Sequence, residues 1–111
     1  MNLILIRAYV SLVTGVQPEI ELTPNQFSLS QNYPNPFNPS TSIDFTLPKA
    51  EKVRIAIYNQ LGQQVSQVAD REYSPGSYSI RFDGNNLSSG VYYYRIEAGS
   101  FVQTKKMVLL K

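Results

Sequence analysis

Apolar residues recur at every second position through most of this chain. Ile43, Phe45 and Leu47 alternate with Asp44 and Thr46. Val53, Ile55 and Ile57 alternate with Arg54, Ala56 and Tyr58, and Tyr78, Ile80 and Phe82 alternate with Ser79 and Arg81. Successive side chains on a strand point to opposite faces, so each run gathers its large apolar members on one side. A helix would need a 3.6-residue repeat, and no segment sustains one. Half-buried strands must cover their apolar faces with another layer, which restricts the chain to stacked sheets.

Turn residues divide the runs. Pro48-Lys49-Ala50-Glu51 follows the first, and Asn59-Gln60-Leu61-Gly62 follows the second, with Gly62 free to take positive φ. Ser74-Pro75-Gly76 opens the third run and Asp83-Gly84-Asn85-Asn86 closes it. Ser88-Ser89-Gly90 precedes a last pair of runs, and Gly99-Ser100 between Ala98 and Phe101 fits a two-residue hairpin. About seven short strands with turns every ~8–12 residues predict an all-β fold, an immunoglobulin-like antiparallel β-sandwich.

Val91–Ala98 has two candidate inner faces. Tyr92, Tyr94, Ile96 and Ala98 share one; Val91, Tyr93, Arg95 and Glu97 share the other. Burying unpaired charge costs several kcal/mol, so the first is the core face. Pairing Ala98 directly with Phe101 then sets Lys105 beside Tyr94 on that face. A β-bulge near Gln103 would shift the register and relieve this, and the sequence leaves both registers open.

Composition narrows the function. The net charge is only +2 in 111 residues, far from the basic balance of a nucleic-acid binder. There is no Cys, which excludes disulfides and thiolate metal sites, and no His, the commonest general base and metal ligand. The domain's acids, Asp44, Glu51, Asp70, Glu72, Asp83 and Glu97, are scattered, so no catalytic residue, metal site or cofactor is expected. Asp83-Gly84-Asn85-Asn86 lacks the rest of a calcium loop and reads as a turn.

The first 26 residues are set apart. Met1–Val16 is apolar but short and interrupted by Arg7, too little for a transmembrane helix and without the basic n-region of a secretory signal. Gln17–Gln26, with Pro18 and Pro24, reads as a linker. Residues 1–26 are thus expected to be the remnant of an upstream region, with the domain over 27–111.

Three segments invite a functional reading. In Asn32-Tyr33-Pro34-Asn35-Pro36-Phe37-Asn38-Pro39-Ser40 three prolines stiffen the chain without making a strand. It is expected to cross the sandwich with Tyr33 and Phe37 plugging one end. Tyr92-Tyr93-Tyr94 could be a sugar-stacking platform, but alternation sends Tyr93 to the opposite face, which favours packing. The tail Lys105-Lys106-Met107-Val108-Leu109-Leu110-Lys111 is apolar between basic residues. Its charges could simply guard a last strand against aggregation, or the strand and its carboxylate could be offered to a receptor.

The segment Asn32–Thr41, then Ile57-Tyr58-Asn59-Gln60-Leu61-Gly62-Gln63-Gln64-Val65, then Ser89-Gly90-Val91-Tyr92-Tyr93-Tyr94-Arg95-Ile96, then the tail, occur in this order. Together they resemble the type A C-terminal sorting domain of the type IX, or Por, secretion system. They are also similar to the immunoglobulin-like domain of the flagellar hook-capping protein. The resemblance implies a non-catalytic sorting signal in Bacteroidetes-type bacteria. It would direct an attached cargo from the periplasm through an outer-membrane translocon to the cell surface or the medium. The implied partners are that translocon and a sortase-like peptidase, with the domain itself a monomer. By the same resemblance, translocon recognition falls to Lys105, Lys106, Met107, Val108, Leu109, Leu110 and Lys111. Pro34, Pro36 and Pro39 match the family's proline-rich entry, and Gly62 and Gly90 its turn glycines. Residues 1–26 hold no such cargo. The alternative is a structural or carbohydrate-binding sandwich that retains an upstream protein at the surface.

Overall fold

The structure is a computed structural model that describes residues 23–111. The apolar segment and most of the linker expected over 1–26 lie outside the described residues. The described chain forms seven strands: β1 (Ser28–Leu29), β2 (Ser40–Leu47), β3 (Glu51–Tyr58), β4 (Gln64–Tyr73), β5 (Gly76–Asp83), β6 (Gly90–Ala98) and β7 (Phe101–Leu109). They make two antiparallel sheets, ordered β1-β2-β5 and β4-β3-β6-β7. The β2–β5 and β3–β6 pairings join strands that are not consecutive, so the chain passes repeatedly between sheets as in immunoglobulin-like sandwiches. The all-β sandwich expected from the alternation is the observed fold.

The core follows the same alternation. Ile43, Phe45, Leu47, Val53, Ile55 and Ile57 are all fully buried. Each such side chain contributes roughly 1.5–3 kcal/mol on leaving water. Phe82 is buried, whereas Tyr78 and Ile80 are half-buried because β5 is an edge strand. Phe45 ties the two sheets together: its ring lies 5.3 Å from Tyr73 of the opposite sheet, edge to face. On β6, Tyr92, Tyr94, Ile96 and Ala98 are buried and Arg95 is exposed, the face that charge burial selects.

Local chemistry sets the turns. The Asn59 side-chain oxygen accepts from the N–H groups of Leu61 and Gln63, at 2.9 and 3.0 Å. Gly62 closes this turn at φ +82°, in the left-handed region expected of it. Between β4 and β3 the register shifts twice, so Val65 and Val68 are extra residues on β4. Gly84 lies where an added Cβ would meet Leu109 Cδ2 at 3.1 Å and Phe37 Cε2 at 3.3 Å. The missing side chain lets those two close over this position without shifting.

The last hairpin resolves the open register. Ala98 pairs with Phe101 across Gly99-Ser100, and nine consecutive pairs run to Gly90–Leu109. No bulge occurs near Gln103, and Lys105 pairs with Tyr94. Lys105 is only half-buried. β7 is the outermost strand of its sheet, so a long side chain can lay its stem along the core and take its ammonium past the edge to water.

Candidate functional site: the tail strand and its proline-rich clasp

The tail residues divide by strand alternation. Met107 and Leu109 are fully buried and belong to the core, and Lys105 and Val108 are half-buried. Lys106, Leu110 and Lys111 are exposed, Leu110 to 55%. Lys105–Leu109 thus complete β7, Leu110 and Lys111 continue past its end, and the seven residues do not present one surface. Lys111 is held down at the strand's end: its N–H donates to Ser89 Oγ at 2.9 Å and its Nζ to the Asn85 carbonyl at 2.6 Å.

The proline-rich segment lies along the outer edge of this strand. Phe37 N–H donates to the Val108 carbonyl at 2.9 Å, and Leu110 N–H donates to the Phe37 carbonyl at 3.0 Å. Asn35 Oδ1 accepts from Val108 N–H at 3.0 Å, and Gln31 Nε2 donates to the Lys106 carbonyl at 2.7 Å. Phe37 also makes a parallel bridge to Leu109 and is buried, its ring 6.1 Å from Phe82. Pro34 and Pro36 are exposed, and Pro39 is half-buried with its carbonyl accepting from Gly84 N–H at 2.8 Å.

Tyr33 does not plug the sandwich; it is 81% exposed. Its backbone bridges Ser42, and antiparallel partners share a face, so Tyr33 points outward with Ser42 rather than inward with Thr41 and Ile43. Asn32 takes the interior place. Its Nδ2 donates to Thr41 Oγ1 at 2.9 Å and to the Pro34 carbonyl at 3.2 Å, and its Oδ1 accepts from Gln31 Nε2 at 2.7 Å. Its own N–H donates to the Tyr94 hydroxyl at 2.7 Å, and that hydroxyl donates to the Ser30 carbonyl at 2.6 Å. Burial pushes the Tyr94 phenol up to about 12, against the opposing pull of the Asn32 N–H. Sequence reasoning missed Asn32 and Thr41 as buried polar residues. Asn32 precedes the prolines where a buried turn needs its own donor and acceptor, but nothing in the sequence distinguishes it from Asn35.

Gly90 opens β6 at φ +156°, and Gly62 lies at the opposite end of the β3–β4 turn from Asn59. Asp83 Oδ1 accepts from Asn85 N–H at 2.8 Å, which is turn chemistry. Glu51, Asp70 and Glu97 line one open surface pocket, but Lys52 and Arg54 stand among them and pair with Asp70 and Glu97 at 3.6 and 3.8 Å; Asp44 and Asp83 lie apart from it. Asp44 and Asp83 share the outer face of the three-stranded sheet, but Asp44 is paired with Ser79, four positions from Asp83. That is ~13 Å along a strand, beyond the ~5–9 Å of paired glycosidase carboxylates. Glu97 is on the other sheet, held by Arg95 at 3.2 Å and Arg54 at 3.8 Å. Among the described residues no group of three His, Cys, Asp or Glu could hold a metal ion, and no helix is long and apolar enough to cross a membrane.

Tyr93 does face outward, as alternation requires, and there it meets Tyr58 as its cross-strand partner on β3. Tyr58, Asn59, Gln60, Gly62, Tyr93, Arg95 and Thr104 line a shallow pocket of about 310 Å³.

These features define an immunoglobulin-like sandwich whose final strand is half core and half surface, clasped by a proline-rich loop. The family model of the secretion system C-terminal sorting domain matches residues 31–110, and the chain belongs to that family. The matched span begins at the clasp and ends within the tail. Comparison with curated proteins gave no match, and comparison with solved structures gave none. The family is that of type IX secretion sorting signals, whose members are generally non-catalytic and act with that machinery in export.

Proposed function

We propose that this domain is a non-catalytic, monomeric recognition module that directs an attached cargo from the periplasm through the type IX translocon to the cell surface or the medium. A sortase-like peptidase then acts on the translocated product. The single observation behind this reading is the tail itself: the family match runs through β7 to Leu110, and Lys106, Leu110 and the following Lys111 stand exposed while Met107 and Leu109 anchor the strand. Recognition is assigned to the exposed members, since a partner cannot touch Met107 or Leu109 without opening the core.

The test follows from that division. The chain is fused behind a signal peptide and reporter in a host with the type IX machinery. Reporter should reach the surface, and Leu110→Asp with Lys111→Glu should strand it in the periplasm without unfolding the domain. Surface delivery that survives this double change would overturn the tail assignment.

A second reading rests on the Tyr58–Tyr93 pocket with Arg95 at its wall. Aromatic rings beside amide and guanidinium groups suit a saccharide, which would make the module a surface-retention domain. Glycan-array binding that Tyr93→Ala abolishes would support it.

A further inference from the structure

The hydrogen bonds of β7 show which of its residues face away from the sheet. Lys106, Val108 and Leu110 bond outward, to Gln31, Asn35 and Phe37. Antiparallel pairing alternates inward and outward groups along a strand. Val102 and Thr104, in the same phase, therefore aim their N–H and C=O outward too. Among the described residues, no partner meets those four groups or the N–H of Lys106. The clasp thus seals the edge from the Lys106 carbonyl onward and leaves it open before that point. β4, at the other end of the same sheet, is interrupted by two register shifts, whereas β7 is regular throughout. Regular, unpaired edge is the template onto which another strand adds.

We propose that the open edge of β7 from Val102 to Lys106 is a docking site for an extended, acidic peptide segment of the secretion machinery, added as a further strand. The occupant's conformation follows from the edge: alternating donors and acceptors at strand spacing are satisfied together only by another strand. Its charge follows from the surroundings. Lys105 and Lys106 stand at the C-terminal end of the open stretch, and no acid occurs from Val102 to Lys111. Glu97, opposite Val102 on β6, is already occupied by Arg54 and Arg95. Val102, 49% exposed, offers the incoming strand an apolar neighbour. The clasp sets the limit of the added strand, because pairing beyond Lys106 would have to displace Asn35 and Phe37.

The proposal rests on the sorting role given above, and the experiment separates the two. Thr104→Pro removes an outward N–H and no bond to β6; proline is tolerated on edge strands in this orientation. The full chain, wild type and Thr104→Pro, is fused to the reporter in the type IX host. Urea midpoints of the unfused chains check folding, and Val102→Pro, which removes the neighbouring outward N–H, replaces Thr104→Pro if that variant does not fold. Wild-type export with at least about a tenfold loss in the proline variant is the expected result. Lys106→Glu should lower export as well. If the wild type fails to deliver reporter, the sorting role fails. If wild type and proline variant are delivered equally, the docking edge fails, and unaltered export of Lys106→Glu overturns its acidic partner. Two results in the free chain would also overturn it. Slow hydrogen exchange at the Val102 and Thr104 amides would show the edge already taken within the chain. A dimer in sedimentation that Thr104→Pro dissociates would give the edge to a second copy.

Discussion

Tyr94→Phe removes one oxygen from the centre of the molecule and leaves its shape unchanged. The Tyr94 side chain is fully buried, and its hydroxyl is the partner of the Asn32 N–H at 2.7 Å and the Ser30 carbonyl at 2.6 Å. An orphaned buried donor costs about 1–3 kcal/mol. Ser30 is exposed and its carbonyl can turn to water, so most of the loss falls on the Asn32 amide. The variant should be about 2 kcal/mol less stable, which at a urea slope near 1 kcal/mol/M lowers the midpoint by about 2 M. The hydroxyl also predicts a pH signature. Burial raises the folded phenol from 10.0 to about 12, so the unfolded chain ionises first as pH rises. The stability this phenol contributes is fully present below pH ~10 and is lost as pH climbs through ~12. About 1.4 kcal/mol of the wild-type advantage should be gone at pH ~11. Paired urea titrations of wild type and Tyr94→Phe at pH 8 and 11 measure both effects. A midpoint difference below about 0.5 M at pH 8, or one that does not narrow at pH 11, would refute the reasoning.

Two further substitutions test the clasp from either side. Phe37→Ala empties the buried site beside Phe82 and should cost about 3–5 kcal/mol by urea unfolding, with faster amide exchange at Val108 and Leu110 as the clasp loosens. Gly84→Ala places a Cβ at 3.1–3.4 Å from Leu109, Phe37 and the Pro39 backbone carbonyl, so that the buried side chains around it must shift by a few tenths of an ångström. Thermal unfolding should show a loss of about 1–3 kcal/mol.

The sequence announces β2, β3, β5 and β6 because each turns its large apolar residues to one face; on β3 the small Ala56 is buried on the other face as well. β4 is different in kind. Its two extra residues, Val65 and Val68, break the period, and Arg71 lies on its inner face, stacked 3.8 Å over the Tyr73 ring. A strand whose edge projects a charge beyond the core has no need of alternation. β1 is two residues long and pairs only with β2, too short for any period to show. The tail was recognisable as a block, but its division into anchoring and exposed members depends on the register with β6. That register turns on whether Lys105 can escape to water. The clasp was least accessible of all: its bonds join residues some 70 positions apart, such as Asn35 and Val108. Asn32 rather than Tyr33 faces inward because of a backbone bridge that side-chain type does not specify.

Signal and scaffold share β7, and this has a consequence for how the tail is tested. Removing Met107–Lys111 would delete two fully buried side chains along with the exposed ones, so failed export would not reveal which loss mattered. The two roles separate by alternation. Met107→Ala should cost about 2–5 kcal/mol and reduce export only as far as it depletes folded domain. Lowering the growth temperature should then restore it. Leu110→Asp touches a half-exposed position and should leave stability within about 0.5 kcal/mol while export falls at every temperature. Equal temperature rescue of both variants would mean that export follows folding alone, and that the exposed tail residues carry no recognition of their own.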